Sequence, residues 1–171
     1  AVGCDKPTAG RPRQRSDSTG GTTLIKIKTP VTDEQIRSLK VMDKIEISGK
    51  IYTGRDAVLP KVVRLTQEGG LRQRGVNLEG AVIFHTAVSP AGIGPTSSNK
   101  LEIESSIPTL SAADVKIHLG KGALSATTVA ELKKNNSVFC ITPPVTALFA
   151  DSIVSKRVVA FPEEGIEALW E

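Results

Sequence analysis

Strand-like apolar runs alternating with helix-like segments recur from residue 22 to residue 171, and this alternation constrains the fold more than any other feature of the chain. Leu24-Ile25-Lys26-Ile27-Lys28 alternates apolar and polar side chains like a half-buried strand and is stopped by Pro30, which cannot donate to a ladder. Thr32 is placed to cap a short helix running to Lys40, with Asp33 and Glu34 in the first turn, where the helix dipole favours negative charge. Residues 43–53 alternate again, with Ser48-Gly49 marking a bend or hairpin. The next helix is predicted to take Asp56 as its N-cap, so that Pro60 falls in the first turn where no intrahelical donor is lost, and to end at Gly69-Gly70. Residues 81–85 predict a buried strand, and residues 88–98 a long loop rich in Gly, Pro and Ser. Strands are predicted at 115–119, 138–141 and 158–161, with helices at 125–134 and 145–152. The alternation predicts an α/β sheet domain whose strand-exit loops face a common edge, where ligands bind.

Residues 1–21 are rich in Gly, Pro, Arg and Ser and poor in aliphatic side chains, which predicts a mobile extension and leaves residues 22–171 as one domain. Half of the formal charge of +4 falls in that extension, so the remainder is too dilute for a nucleic-acid footprint. No apolar run approaches the ~18 residues of a membrane span. A soluble chain with no nucleic-acid and no membrane partner is expected. Cys4 and Cys140 are poor material for a disulfide framework, and with no apolar leader at the N-terminus they point to a cytoplasmic location. Two thiols also cannot hold an iron-sulfur cluster, which takes about four. No paired-cysteine or HExxH motif marks a metal site, GxSxG is absent, and His85 and His118 read as structural.

Three polar segments follow predicted strands. Thr53-Gly54-Arg55-Asp56 puts an arginine at a strand-to-helix junction, where backbone amides and a guanidinium favour a carboxylate or phosphate; a surface Arg55-Asp56 pair is the plainer reading. Residues 94–100 place Thr96, Ser97 and Ser98 after a Gly-Pro turn, with Lys100 beside them. These hydroxyls either donate to an anion or simply cap the next element. Gly120-Lys121-Gly122 lets the backbone approach a ligand while the ammonium points at it. It is not a P-loop, because neither the first glycine nor a hydroxyl residue after the lysine is in place.

Taken in order, these segments resemble the C-terminal domain of class I iron-sulfur fumarases, which archaea and many bacteria carry as a separate β subunit, and the β subunit of L-tartrate dehydratases. The resemblance covers residues 22–171 and rests on Ser48-Gly49 with Thr53-Gly54-Arg55-Asp56, the run from Gly80 to His85, Gly94-Pro95-Thr96-Ser97-Ser98, the run from Ile117 to Gly122, and the ending from Glu164 to Trp170. It implies a three-layer swivelling β/β/α domain similar to the mobile domain of aconitase. It further implies closure over a 4Fe-4S cluster carried by a partner α subunit and not bound by this chain. The implied reaction is hydration of fumarate to L-malate, with the open iron as Lewis acid. By the same resemblance Arg55 and Lys121 bind substrate carboxylates, Thr96 transfers the proton at carbon, and Ser97 and Lys100 lie against substrate.

The chain departs from the family pattern at several points. Lys100 stands where an arginine is usual, the histidine usual after the Gly-Arg-Asp segment is missing, Thr86-Ala87-Val88 replaces an expected Gly-Pro, and Thr142-Pro143-Pro144 replaces common glycines. Losing the arginine removes a bidentate fork. Tartrate or a methylated dicarboxylate such as mesaconate therefore stays open as substrate. The rival class is a non-catalytic anion-binding module whose basic residues 11–15 engage an acidic partner. Assembly with the α subunit is expected, or a homodimer when the chain is isolated.

Overall fold

The computed structural model describes residues 23–143 and 146–171; the predicted extension at residues 1–21 lies outside them. In chain order the strands are β1 (Ile25–Lys28), β2 (Ile45–Ser48), β3 (Tyr52–Thr53), β4 (Ala81–Phe84), β5 (Thr86–Ser89), β6 (Gly92–Thr96), β7 (Val115–Gly120), β8 (Val138–Ile141), β9 (Val158–Ala160) and β10 (Leu169–Trp170). The α-helices are α1 (Asp33–Ser38), α2 (Leu59–Gln67), α3 (Lys100–Ala112), α4 (Ala126–Lys134) and α5 (Thr146–Asp151). The architecture is mixed α/β, as the alternation of patterns predicts, with its described strands divided among several sheets.

The main sheet has the order β8-β7-β4-β3-β10-β9. Its pairs β3–β4, β4–β7 and β7–β8 are parallel, while β10 runs antiparallel to both β3 and β9. Alternation along β4 decides what packs on each face. Ala81 and Ile83 join a cluster with Val58, Leu59 and Val62 of the α2 region and Leu110 of α3. Val82 and Phe84 face the other way, into a cluster with Ile27, Val31 and Ile36. Helices therefore cover one face, and the small parallel β1–β2 sheet with α1 covers the other. Gly49, at φ 98°, makes the turn by which the chain leaves β2 in the small sheet and enters β3 in the main one.

Several expectations hold at the residue level. Thr32 forms a capping box, its Oγ1 accepting from Gln35 N at 3.3 Å while Gln35 Oε1 accepts from Thr32 N at 2.9 Å. Ser125 caps α4, and Gly69 ends the α2 region at φ 72°. Others need correction. Residues 88–98 are not a loop: β5 and β6 form a hairpin with Thr86 opposite Thr96 and Val88 opposite Ile93, turned at Gly92. Pro95 is tolerated because the ladder has only two strands, so one side of each is unpaired. The helix α3 went unassigned because Ser106 and Ser111 occupy its buried face among Ile103, Ile107 and Leu110, and Pro108 interrupts the pattern. The N-cap of α2 is Val58 rather than Asp56, because a turn from Arg55 precedes the helix and Pro60 sits in its opening turn. That releases the Asp56 carboxylate for another partner. The closing strand β10 also carries no strand signal in sequence, since its two residues form a strand only between β3 and β9.

Candidate functional site

Because β3, β4, β7 and β8 are parallel, the segments leaving them emerge at one edge of the main sheet. Gly54 leaves β3 with its amide donating to Phe84 O at 3.1 Å. A Cβ there would lie 2.7 Å from Val58 Cγ1, so the tight exit requires glycine. Arg55 follows, its side chain 27% exposed, with Nε 2.9 Å from Glu167 Oε1 and Nη2 3.9 Å from Asp56 Oδ2. The second oxygen of Glu167 accepts from Ala57 N at 3.1 Å.

Asp56 joins this turn to the segment after β6. Its Oδ1 accepts from Ser97 Oγ at 2.7 Å, while Ser97 N donates to His85 O at 2.9 Å and Ser97 Oγ accepts from Asn99 N at 3.2 Å. Ser97 is thus buried and locked at both hydroxyl and backbone. Thr96, half-buried beside it, makes no side-chain hydrogen bond to the described residues. Of the two hydroxyls, that of Thr96 is uncommitted among the described residues. Ser97 spends its own on the scaffold.

Lys121 follows β7 and is exposed, with no ion pair to the described residues. Gly120 before it packs against the Phe139 ring, where a Cβ would come within 2.9 Å of Cζ, and Gly122 after it has φ 84°. Thr142 N donates to Gly120 O at 2.9 Å, tying this exit to that of β8. The far end of the Lys121 loop is pinned to α3 by Glu104, which accepts from Ser125 N and Oγ and, at 2.5 Å, from Thr128 Oγ1. The hydroxyls of Ser125 and Thr128 hold this carboxyl down at about 2. Lys100 opens α3 with Nζ 3.5 Å from Glu104 Oε1 and its side chain 60% exposed, so part of its charge is already answered within the chain.

Beneath the edge lies a buried polar line that sequence reading did not find. His85 Nε2 is 3.2 Å from His118 Nδ1, and His118 Nε2 is 3.0 Å from Ser111 Oγ. Burial pushes His85 down to about 4 against the opposing pull of Asp56, and pushes His118 well below its ordinary value. Both rings are therefore neutral near pH 7, in keeping with a structural role. Glu104 and Glu167 were missed, and the pairing of the two structural histidines was not legible, because each contact is made to a partner distant in sequence. The helical face that would have exposed the Ser111 contact was hidden by its serines.

Among the described residues no group of His, Cys, Asp and Glu is placed to hold a metal ion. Cys140 is half-buried, and burial pushes its thiol up to about 11, which makes it a poor ligand. The described residues do not fit an iron-sulfur cluster held by this chain. Nor is any described helix long and apolar enough to cross a membrane.

Arg55, Thr96, Ser97, Lys100 and Lys121 thus lie on segments at or next to one edge of a mostly parallel sheet in a mixed α/β domain. The chain belongs to the fumarase C-terminus family, whose model matches residues 5–171. It is 30% identical over 161 residues to a Geobacillus stearothermophilus protein named "Putative fumarate hydratase class I", covering 86% of this chain and 29% of that relative. It is 27% identical over 154 residues, covering 82% of this chain and 77% of the relative, to a Methanocaldococcus jannaschii protein named "Putative L(+)-tartrate dehydratase subunit beta". The L(+)-tartrate dehydratase subunit beta of Escherichia coli K12 is 26% identical over 155 residues, covering 84% and 74%.

Proposed function

We propose that this chain is the β subunit of a hydro-lyase that interconverts fumarate and L-malate, supplying carboxylate-binding residues to a site completed by a partner α subunit. The observation that carries this reading is the convergence of the Arg55, Thr96 and Lys121 loops on one sheet edge, linked by Asp56–Ser97 and Glu104–Ser125. A dicarboxylate is a dianion. When the oxygen of water adds to one alkene carbon, the π pair moves to the other carbon and onto the oxygens of the carboxylate attached there, until that carbon takes up a proton. Arg55 offers a fork for one carboxylate and Lys121 a point charge for the other. A braced donor such as Arg55 stabilises developing charge without having to reorganise during the reaction. Thr96, with its hydroxyl uncommitted, is the residue positioned to take or return the proton at carbon, while Ser97 fixes the loop that carries it. Lys100 adds positive charge at the rim.

A 4Fe-4S cluster carried by the α subunit would supply the Lewis acid for the hydroxyl. The domain would close over it as a swivelling unit like the mobile domain of aconitase. The relatives named as tartrate dehydratase β subunits support a second reading, in which the same clamps hold tartrate, and a methylated dicarboxylate such as mesaconate fits the same chemistry. Anaerobic co-expression with a cluster-bearing partner, followed by rates for fumarate, mesaconate and tartrate, separates these. A dominant fumarate rate supports the proposal, a dominant tartrate or mesaconate rate transfers it to that substrate, and no turnover of any rejects it. The non-catalytic alternative rests on residues 11–15, which lie outside the described residues. Deleting residues 1–21 leaves turnover intact if the enzyme reading holds, and abolishes binding to the acidic partner if the module reading holds.

A further inference from the structure

Arg55 is held from behind. Of its three guanidinium nitrogens, Nε is the one that faces a close carboxylate, 2.9 Å from Glu167 Oε1. The other Glu167 oxygen accepts from Ala57 N in the same turn, so one carboxylate grips both the side chain and the backbone of the Arg55 segment. The Nε–H points off the line to Glu167, so the contact is an ion pair rather than an aligned hydrogen bond. The other nearby acids are occupied or distant: Asp56 Oδ2 lies 3.9 Å from Nη2, Asp56 Oδ1 is taken by Ser97, and Glu164 pairs with Lys61.

The position of Glu167 is itself fixed. It ends the short 3₁₀ segment Pro162–Glu167, two residues before fully buried Leu169, and Trp170 of β10 pairs with Thr53 at the end of β3. The C-terminal strand therefore delivers the carboxylate to the turn that carries Arg55. Engaging a guanidinium through Nε leaves the edge formed by Nη1 and Nη2, which matches a carboxylate in a two-bond fork.

We propose that Glu167 is a positioning residue for Arg55: it anchors Nε so that the two terminal nitrogens are presented as a ready fork to one carboxylate of the substrate. This rests on the reading that Arg55 binds a substrate carboxylate. It adds that the binding strength depends on a residue that does not touch substrate.

The test is a double-mutant cycle of Glu167→Gln and Arg55→Ala in the assembled enzyme, with a second readout on the full chain alone. Glutamine keeps the size and an oxygen for Ala57 N but removes the charge facing Nε. Glu167→Gln is expected to raise KM for the dicarboxylate about tenfold with kcat changed less than about twofold, and to add less than about twofold in the Arg55→Ala background. Equal effects in both backgrounds, or no effect on KM, overturn the proposal. The second readout is the Nε–Hε signal of Arg55 in ¹⁵N NMR, assigned by its loss in Arg55→Ala. Slow solvent exchange that becomes fast in Glu167→Gln supports the anchor, and unchanged exchange overturns it. Because this signal needs no turnover, it decides the anchor even if the complex hydrates no dicarboxylate, an outcome that would sink the hydro-lyase reading instead.

Discussion

Arg55 and Lys121 reach the same sheet edge from strands separated by β4, one half-buried and braced, the other exposed at the tip of a glycine-flanked turn. If each meets one carboxylate, removing either leaves a substrate charge unpaired within a closed site. Arg55→Ala or Lys121→Ala is then expected to lower kcat/KM at least about a hundredfold, roughly 3 kcal/mol, measured by steady-state kinetics of the assembled complex. Wild-type rates in both would sink the clamp. Asp56→Asn is subtler, because the amide can still accept from Ser97 Oγ while losing its charge. A loss of about tenfold in kcat/KM is expected for Asp56→Asn, and a larger loss for Asp56→Ala, which also frees the Ser97 loop; equal losses would show that charge, not the link, is what matters. The positions of Arg55 and Lys121 just past strand ends were legible in sequence because glycines and turn residues surround them after strand-like runs. The roles of Asp56 and Glu167 were not, since a carboxylate beside an arginine reads equally well as a helix cap, and its actual partner lies 41 residues away.

At the scale of elements, legibility followed how much of the pattern a segment could carry by itself. β4 announced itself as a continuous apolar run because a parallel strand covered on both faces is buried throughout, whereas β7 alternates apolar residues with Lys116 and His118 and is nonetheless buried along its whole length. The β5–β6 hairpin did not, because its Gly-Pro content reads as loop and its stability comes from cross-strand pairing and from Thr86 Oγ1 donating to Gly94 O at 2.7 Å. The alternation of β1 was legible, but not that β1 and β2 would leave the main sheet and pack across its face. In that docking Ile27, 2% exposed, packs in one cluster with Val82, Phe84 and Ile117 of the main sheet and with Val31 and Ile36 beside it. Ile27→Ala should cost about 3 kcal/mol, read as a lowered urea midpoint with unchanged slope. A much smaller loss would mean that the small sheet is held by other contacts, such as Lys116 reaching Asp33 of α1 at 2.6 Å.

For the molecule as a whole, the buried His85–His118–Ser111 line supports the sheet edge that carries the Arg55 and Lys121 loops, by joining β7 to α3 and to the residue after β4. Two neutral imidazoles in a dry interior make stability depend on pH in a definite direction. His85 titrates near 6.5 when exposed and at about 4 in the fold, so the unfolded chain takes up the proton first as pH falls. The stabilisation is complete above pH 6.5 and erodes as pH drops toward 4, a loss on the order of 3 kcal/mol from His85 alone, with His118 acting in the same direction. Glu104 acts in a separate window. Its carboxyl is lowered from 4.5 to about 2, so its contribution holds above 4.5 and disappears only in stronger acid. Urea midpoints measured from pH 7.5 to 4.5 should therefore fall in the native chain mainly through the histidines. The paired substitution His85→Phe with His118→Leu removes both titrating rings without leaving one unpartnered, and should flatten that profile even if it lowers its plateau. An equally steep profile in the double variant would show that other groups carry the acid sensitivity and that the buried pair is charged or already open to water in the native state.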